Sequence, residues 1–514
     1  MPLFLLLPGF LYGVGDMLLA ALRMRRGFGE AVAISLAVWS IVGWFSFGHF
    51  RGVVLLLSGI GTLWLLYVIF KNRPKVTLPL PVALFFLAIL LRWMMAAFAL
   101  YPYQKDFIMH TYSTATILHY NGYGPEYYPF GVSGFGAFNL GFHFTAAGLS
   151  YLTGLKPIDA VVSTVYIFWG VLFWGIYRWI KNPWISLLSI FTFHYPLNYL
   201  NWGGFPTLSA LSLGLFAFKE KPSRALPYWL GAFSLHFIPV SVPFLVYLAV
   251  HRHRLKEFLP YLSMVLLIPQ YYLIFKWASH MSPEETRAVD VFVVSNFPKS
   301  SAVVLFLFLL ALLGYRYRRL CRAPLWGVIL SVFAGVVSFV FAYLHIPINA
   351  PKSLYMSRMV LLLLPPAAFG VLYLWKKVRW ATLILPIAVS SYVAYRQVSA
   401  GLDPEDWKAI HKVLGRKGWF LTSYGSEGAY LPALGSPSWK SHYIISQMDE
   451  FREAAWKNGF KYVVCDHDDP AGPTEYYREV CKMGEGHPDV DRVVAKGRNL
   501  TVYGLKRVVH PDTP

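Results

Sequence analysis

The sequence predicts a mainly α, polytopic membrane protein: a bundle of about 14 transmembrane helices followed by a small α/β domain. Hydrophobic residues make up 56% of the 514 residues and charged residues only 14%, which is too apolar for one soluble core of this length. Apolar runs suited to crossing a hydrocarbon core of ~30 Å recur from the start of the chain to about residue 397. Beyond that point the composition becomes polar.

The apolar runs define the predicted membrane helices in order, and several of the middle ones are short. They are residues 2–22, 30–48, 52–70, 78–100, 158–180, 184–200, 205–218, 224–237, 239–250, 258–276, 301–314, 324–344, 356–375 and 380–397. Residues 1–77 form a predicted three-helix extension with little polar chemistry apart from Asp16, and residues 78–397 form the core. The first run lacks a basic start and a small-residue cleavage site, so we interpret it as a retained helix.

The positive charge of the chain predicts its topology. The net charge is +20, yet residues 398–514 carry 15 Lys and Arg against 16 Asp and Glu, which leaves 31 against 10 in the membrane part. The basic residues cluster in alternate loops: Arg23/Arg25/Arg26, Lys71/Arg73/Lys75, Arg178/Lys181, Lys219/Lys221/Arg224, Arg252/Arg254/Lys256, Arg316/Arg318/Arg319/Arg322 and Lys376/Lys377/Arg379. The positive-inside rule places these loops in the cytoplasm. We therefore expect a plasma-membrane protein with both termini outside, and membrane lipid rather than nucleic acid as its partner.

Residues 398–514 predict a soluble extracytoplasmic α/β domain. An amphipathic helix begins at Asp403, and strand-like segments at WFLTS, KYVVCD, RVVA and LTVYGLKR alternate with further helices. Cys465 and Cys481 could pair, although a buried position in a strand is the favoured interpretation of Cys465. Asn499 begins a glycosylation sequon, at a position predicted to be in a strand.

The candidate catalytic residues lie in the long polar segment 101–157. Asp106 and His110 are four residues apart at the start of a predicted helix over 107–119, so their side chains share one face. They suggest a general base or the ligands of a divalent metal such as Mg²⁺ or Mn²⁺, whereas the simpler interpretation of Asp106 is a helix cap. The cofactor stays unknown. We expect the apolar segment 138–153 to lie along the outer interface, because a crossing there would invert every later loop.

Four polar residues are candidates for substrate binding in the predicted outer segments. Glu126 and His143 belong to the segment 101–157, Asn201 lies in the loop 193–206, and His236 falls near a predicted outer helix end. Each also has a simpler interpretation, as a loop charge or as a structural polar group at the interface. They would contact the hydroxyl or phosphate groups of a substrate.

Three cationic residues complete the candidate substrate site. Arg358 lies one turn inside an apolar run, where it would grip a phosphate with its bidentate guanidinium or else extend to the interface. Lys352 would assist it. Arg92 lies within a predicted membrane helix, and an ionisable residue there is either functional or paired with a carboxylate.

The chain resembles the C-type (GT-C) membrane glycosyltransferases over about residues 78–514. The resemblance lies in the Asp106–His110 pair of a long outer loop, the stretch GFHFTAAGLSYLTGL, the arginine of YMSRMVLLLLPPAAFG, and an outer C-terminal domain. It implies inverting transfer of a sugar from a polyprenyl-phosphate donor to a glycan, lipid or protein acceptor outside the cell, with Asp106 as base or metal ligand and Arg358 on the donor phosphate. The loop FHYPLNYLNWGGFP lacks the second acidic motif of many relatives, and the Trp-Trp-Asp motif of oligosaccharyltransferases is missing.

Two other classes of function are alternatives. A lipid or solute transporter, including a flippase, would show internal repeats with helices broken at matching positions, and the sequence shows no clear repeat. A non-catalytic membrane scaffold would recruit partners through its outer domain, and the presence of Asp106 and Arg358 argues against it.

Overall fold

A computed structural model describes a mainly helical chain with a small C-terminal sheet. The described residues are 2–46, 48–72, 79–97, 105–124, 126–127, 132–133, 140–192, 204–268, 270–272, 290, 293–294, 305, 307–313, 333, 335–346, 364–377, 403–413, 416, 418–422, 438–439, 455–467 and 474–510.

The described residues of the membrane part are almost entirely helical. The helices are α1 (Leu3–Ala21), α2 (Phe28–Phe45), α3 (Phe50–Asn72), α4 (Leu80–Ala97), α5 (Lys105–Tyr120), α6 (Gly141–Thr153), α7 (Pro157–Ile180), α8 (Pro183–Thr192), α9 (Phe205–Ala217), α10 (Pro222–Leu235), α11 (Phe237–Val250), a 3₁₀ segment at Arg252–Leu267, and α12 (Leu364–Lys377). Among the described helices, α1, α2, α3 and α7 are long and apolar enough to span a membrane. This agrees with the predicted class of helical membrane protein.

Helix α7 is the central element of the bundle. It begins with Pro157 in its first turn, where a missing backbone N–H costs nothing. Its C-cap residue is Lys181, whose φ of 58° lies in the left-handed region. It contacts α4, α6, α8 and α9 along its length of 24 residues. By contrast, α3 is peripheral, and its Leu63 and Phe70 are 66% and 76% exposed, as expected for side chains that face lipid.

We call the end of the bundle where α7 ends the basic end, because Arg25, Arg26, Arg178, Lys181 and Lys219 gather there. Arg178 Nε lies 3.0 Å from Glu30 Oε1 on α2, and the same guanidinium pairs with Glu220 after α9. Trp174 donates to the other oxygen of Glu30 over 2.9 Å. A buried charge is tolerated only when it is paired and hydrogen-bonded. The ion pairs therefore fix α2, α7 and α9 at one level.

A second buried carboxylate at the basic end joins α1 to α3. Asp16 accepts hydrogen bonds from Arg26 Nε and from Trp64 Nε1, both over 2.9 Å. Helices α1 and α3 approach each other closely one turn before Asp16, since a Cβ on Gly13 would clash with the backbone of Gly61. Asp16 is thus a paired structural group among the described residues.

Three helices of the bundle are too short to cross a hydrocarbon core of ~30 Å at 1.5 Å per residue. Helix α9 has 13 residues, and α10 and α11 have 14 each. Helices α9 and α10 meet near Glu220 at the basic end, and Tyr247 of α11 donates to the Glu220 carbonyl over 2.9 Å. Their other ends lie inside the bundle, where Phe205 of α9 contacts Phe142 of α6, with ring centroids 6.2 Å apart. They are half-height helices.

The expected interfacial position of segment 138–153 is wrong. Helix α6 is internal, because eleven of its thirteen residues are buried, and it contacts α2, α3, α5 and α7. Gly154, with φ of 73°, turns the chain so that α6 and α7 run antiparallel. The N-terminus of α6 stops inside the bundle, with Gly141 so close to the Ser234 carbonyl that a Cβ would clash. Helix α6 covers only half the length of α7 and does not cross the bundle. The predicted orientation of the later loops is therefore compatible with its position.

The C-terminal elements agree with the predicted alternation. Helix α13 (Pro404–Val413) precedes β3 (Trp419–Thr422), β4 (Ser438–Trp439) and β5 (Phe460–Asp466); α14 (Glu475–Met483) precedes β6 (Val490–Lys496) and β7 (Leu500–Val509). A short hairpin of β1 (Glu126–Tyr127) and β2 (Val132–Ser133) lies earlier in the chain. The main sheet has the order β4-β3-β5-β7-β6, parallel on either side of β3 and antiparallel on either side of β7.

Side-chain contacts hold this sheet to its helices. A disulfide joins Cys465 of β5 to Cys481 of α14, with Cα atoms 5.4 Å apart, so Cys465 is both a buried strand residue and a bonded one. Asp406 of α13 accepts from the backbone N–H of Asn499 over 2.9 Å. Asn499 lies in the turn before β7 rather than in the strand as predicted.

Helix α13 lies beside the start of α7, at the end of the bundle opposite the basic end. Burial and then the positive charge of Lys156 lower the pKa of His411 below its usual value, while Asp159 raises it. Lys156 caps α7 and Asp159 lies in its first turn. The two ends of α7 thus differ. Its start lies near the C-terminal domain, and its end carries the basic residues.

We expect Arg178→Gln to destabilise the protein by about 3–5 kcal/mol, because it leaves Glu30 buried without its counterion. Arg254→Gln is the control: it breaks the more exposed pair with Glu257, which contributes about 0–1 kcal/mol. Thermal unfolding of both purified variants in detergent measures the difference. Equal melting temperatures would mean that the Arg178 pairs do not hold the bundle together.

Candidate functional site

Two of the predicted site residues are in direct contact inside the bundle. Nδ1 of His110 on α5 lies 2.9 Å from Nε2 of His143 on α6. His143 is 2% exposed. The sequence placed both residues in one segment, but 33 positions separate them, and only the packing of α5 on α6 brings them together.

The helices place this contact about midway along α7. Helices α5 and α6 run parallel, since His110 meets His143 and, two turns later, the Tyr151 hydroxyl donates to the Leu118 carbonyl over 3.3 Å. Phe142 contacts Phe168 of α7, with ring centroids 6.4 Å apart. Phe168 lies about 17 Å from the start of α7 at 1.5 Å per residue. The pair is therefore deep in the bundle rather than at its outer surface.

The half-height helices complete the surroundings of this pair. The ring of Phe205, at the start of α9, lies 5.7 Å from the His110 ring and 6.2 Å from that of Phe142. Thr114 and Thr145 bond back to the carbonyls of His110 and Gly141, over 2.9 and 3.0 Å. These bonds satisfy the buried hydroxyls within their own helices. The site thus has a polar centre and aromatic walls.

His236 joins the pair from the tip of the α10–α11 hairpin. Its backbone is extended, with φ of −164° and ψ of 109°, which ends α10 and starts α11. The ring lies close enough to that of His110 for the two to interact electrostatically. Its Nδ1 is buried and has no hydrogen-bond partner in the described part of the chain. We call His110, His143 and His236 the histidine cluster.

Gln270 is a buried polar residue beside the cluster that the sequence analysis missed. Its Nε2 donates to the carbonyl of Ser234 over 3.1 Å, the carbonyl that also faces Gly141. Gln270 is 1% exposed. An amide in the apolar run 258–276 was the available signal, because an uncharged polar group in such a run needs a partner.

Arg92 lies at the same level on another face of α7. Its guanidinium carbon lies 5.9 Å from the ring centroids of both Tyr166 and Trp169. Those rings face α4, whereas Phe168 faces α6. Arg92 is buried, at 2% exposed, and is separated from the histidine cluster by the body of α7.

The remaining predicted residues are placed only in part. Asp106 lies in the first turn of α5, one turn before His110, and Glu126 lies in β1; the side chains of both lie outside the described residues. Asn201, Lys352 and Arg358 also lie outside them. Within the described residues, which do not include the side chain of Asp106, no group of three His, Cys, Asp or Glu is arranged to hold a metal.

The histidine cluster is suited to accepting a proton. A hydrogen bond between two imidazoles needs a donor nitrogen on one ring and an acceptor on the other, so at least one ring is neutral. A neutral donor ring of such a pair can accept a proton from a neighbouring group through its other nitrogen.

Comparison with known protein families and with curated proteins does not assign the chain to a family. No model of a known protein family matches the chain, and no curated protein matches it.

We expect the effects of substituting His110 and His143 on the free energy of unfolding to be non-additive. His143→Phe alone removes the partner of His110 and costs about 1–3 kcal/mol, since a buried polar group loses its hydrogen bond. The double variant His110→Phe/His143→Phe should cost clearly less than the sum of the two single variants. Thermal unfolding of the three variants measures this coupling, with the exposed His119→Phe on the same helix as control. Strict additivity would contradict the contact.

Proposed function

We propose that the protein is a membrane glycosyltransferase of the GT-C type. It moves a sugar from a polyprenyl-phosphate donor to a glycan, lipid or protein acceptor on the outer face of the membrane. One observation carries the proposal: the first turn of α5 puts Asp106 one turn before His110, which contacts the buried His143. A carboxylate one helical turn from a histidine pair would suit the removal of a proton from a sugar hydroxyl.

The proposed reaction is a direct displacement with inversion. An acceptor hydroxyl attacks the anomeric carbon while Asp106 takes its proton. The bond between that carbon and the donor phosphate breaks, and its electron pair leaves on the polyprenyl phosphate. Arg358, with Lys352, would stabilise the leaving phosphate, because a guanidinium matches two phosphate oxygens at once.

The histidine cluster would act on Asp106 rather than on the substrate. His110 shares one face of α5 with Asp106, and His143 holds the His110 ring through its Nδ1. A positioned imidazole keeps the carboxylate oriented and ionised, so that it is ready to accept a proton. Whether a divalent metal joins Asp106 is decided by adding and removing Mg²⁺ and Mn²⁺ in the assay.

The proposal requires a defined topology. The basic end is cytoplasmic under the positive-inside rule, and the C-terminal domain, which lies at the other end of α7, is then outside. The Cys465–Cys481 bond supports this orientation, because disulfides persist in oxidising compartments. We place both termini outside, as the alternation of the basic loops predicts.

Transport is a second candidate function, and the half-height helices favour it. Helices α9, α10 and α11 each have one end near the middle of the bundle, and discontinuous helices around a mid-membrane site are typical of transporters. Detergent solution distinguishes the two functions. A transferase works without a second compartment, whereas a transporter has no measurable activity there.

We expect Asp106→Asn to fold and to lose at least ~100-fold in sugar transfer, since a general base contributes about 10²–10⁴-fold. Asparagine caps a helix nearly as well as aspartate, so a capping role predicts full activity. The matched control is Asp159→Asn, in the first turn of α7. Mass spectrometry first identifies the lipid-linked sugars that accumulate without the gene, and the purified variants are then assayed in detergent with that donor. A rate near wild type for Asp106→Asn would remove Asp106 from the mechanism.

We expect the two ends of α7 to face different compartments. In a Cys321→Ser background, Asp491→Cys of the C-terminal domain should react with an impermeant thiol reagent in intact cells. Arg252→Cys, in a basic loop, should react only after permeabilisation. The opposite pattern would invert the proposed topology and exclude an extracellular site.

A further inference from the structure

A second cluster of charged residues lies at the basic end, about 15 Å along α7 from the level of the histidine cluster at 1.5 Å per residue. Its members come from three connections: Arg25 between α1 and α2, Lys181 after α7, and Lys219 after α9. Each of these residues is exposed. The fold therefore brings cations from distant parts of the sequence to one point of the surface.

The contacts of Lys219 show how closely the cations are packed. Its Nζ donates to the carbonyl of Arg178 at the end of α7 and lies 5.3 Å from the centroid of the Trp179 ring. Lys181 Nζ lies 5.6 Å from the ring centroid of Tyr177. Tryptophan and tyrosine at a helix end are typical of the headgroup level of a membrane. The ammonium groups thus lie where lipid headgroups would be.

The charges of this region do not balance. Among the described residues, the carboxylates that act on Lys181 and Lys219 are Glu30 and Glu220. Both are already paired with Arg178. Two carboxylates thus face four cations, Arg178 included. Positive-inside topology explains why basic residues occupy these loops, but it does not require three loops to converge.

The crowding has a measurable consequence at Lys219. Although the residue as a whole is exposed, burial of its ammonium group, followed by the charges of Lys181, Arg178 and Arg25, lowers the pKa of Lys219 to about 8, against the opposing effect of Glu220. A lysine with a lowered pKa destabilises the folded protein while it is charged, and that cost disappears as the pH rises above the folded-state pKa. An anion bound beside Lys219 would remove the cost at neutral pH.

We propose that Arg25, Lys181 and Lys219 form a binding site for a phosphate group, carried by an anionic lipid headgroup or present as the free ion. A phosphate would supply the negative charge that the cluster lacks and would accept charge-assisted hydrogen bonds from three directions. Basic pockets between membrane helices bind anionic headgroups for this reason. The site is independent of the proposed transfer reaction, since none of its residues belongs to the candidate active site.

The test is binding to the purified full-length protein in detergent, followed by native mass spectrometry and thermal unfolding. Phosphatidylglycerol, phosphatidylcholine and inorganic phosphate are compared, since a ligand that binds the folded state raises the melting temperature as its concentration increases. We expect phosphatidylglycerol to bind and stabilise, and phosphatidylcholine to do neither. Equal stabilisation by inorganic phosphate would assign the site to the free ion.

Two sets of substitutions separate a defined site from general attraction to a basic surface. The variant R25Q/K181Q/K219Q should bind phosphatidylglycerol at least about tenfold more weakly, the equivalent of one charge-assisted hydrogen bond. The matched control R252Q/R254Q/K256Q removes three charges from a neighbouring loop at the same end and should bind as the wild type does. Equal losses in both variants would overturn the proposal.

The pH dependence of the wild-type protein gives a readout that needs no variant. Between pH 7 and pH 9.5 the phosphodiester stays ionised while Lys219 loses its proton, so affinity for phosphatidylglycerol should fall by about tenfold. An ordinary exposed lysine keeps its charge over most of this interval. Constant affinity from pH 7 to pH 9.5 would show that Lys219 does not hold the phosphate.

Discussion

The pairing of Arg178 with Glu30 and Glu220 is the constraint on which the rest of the bundle depends. A guanidinium buried at the end of α7 is stable only while both carboxylates face it. Glu30 belongs to α2 and Glu220 to the turn between α9 and α10, so the ion pairs set the level at which these helices begin. Because α10 then has a fixed starting point and 14 residues, its end is about 21 Å away at 1.5 Å per residue.

That length places the tip of the α10–α11 hairpin beside α5 and α6. The tip carries His236, and the Ser234 carbonyl just before it packs on Gly141. The absence of a side chain at Gly141 lets α6 end against α10, and His143 follows two residues later. The histidine cluster is therefore a consequence of three helix ends that meet inside the bundle. Its geometry depends on an ion pair at the far end of α7.

The sequence predicts the elements better than it predicts their depth. The helix that carries His110 and four strands of the C-terminal sheet follow from patterns within single segments, and they lie where predicted, whereas the two-residue strand β4 was not predicted. The depth of α6 does not follow, since an apolar segment such as GFHFTAAGLSYLT suits an interface, a crossing or a buried half-height helix equally well. The contact of α6 with α10 decides between them, and it joins residues 93 positions apart. Local patterns contain no information about such a contact.

The candidate site shows the same limit. His110, His143 and His236 could be selected from the sequence, His110 by its spacing of four residues from Asp106 and the other two as polar groups next to apolar runs. Their convergence could not be predicted, and Gln270 was missed because a single amide does not alter the apolar pattern of its run. Pairing of Cys465 with Cys481 likewise depends on how α14 packs on β5, which spacing alone does not determine.

The two clusters along α7 have opposite physical character. The histidine cluster lies inside the bundle, with His143 only 2% exposed, and it consists of groups that can accept or donate a proton, so it suits a reaction in which a proton moves. The basic cluster is exposed at the helix end and carries excess positive charge, so it suits an anion that stays bound. They are about 15 Å apart along α7, and salt screens charges weakly along a path that lies inside the bundle. Helix α9 is the element common to both, with Phe205 at one end and Lys219 just past the other. A phosphate bound at the basic end would therefore act on the histidine cluster by two routes, through its charge and through the position of α9.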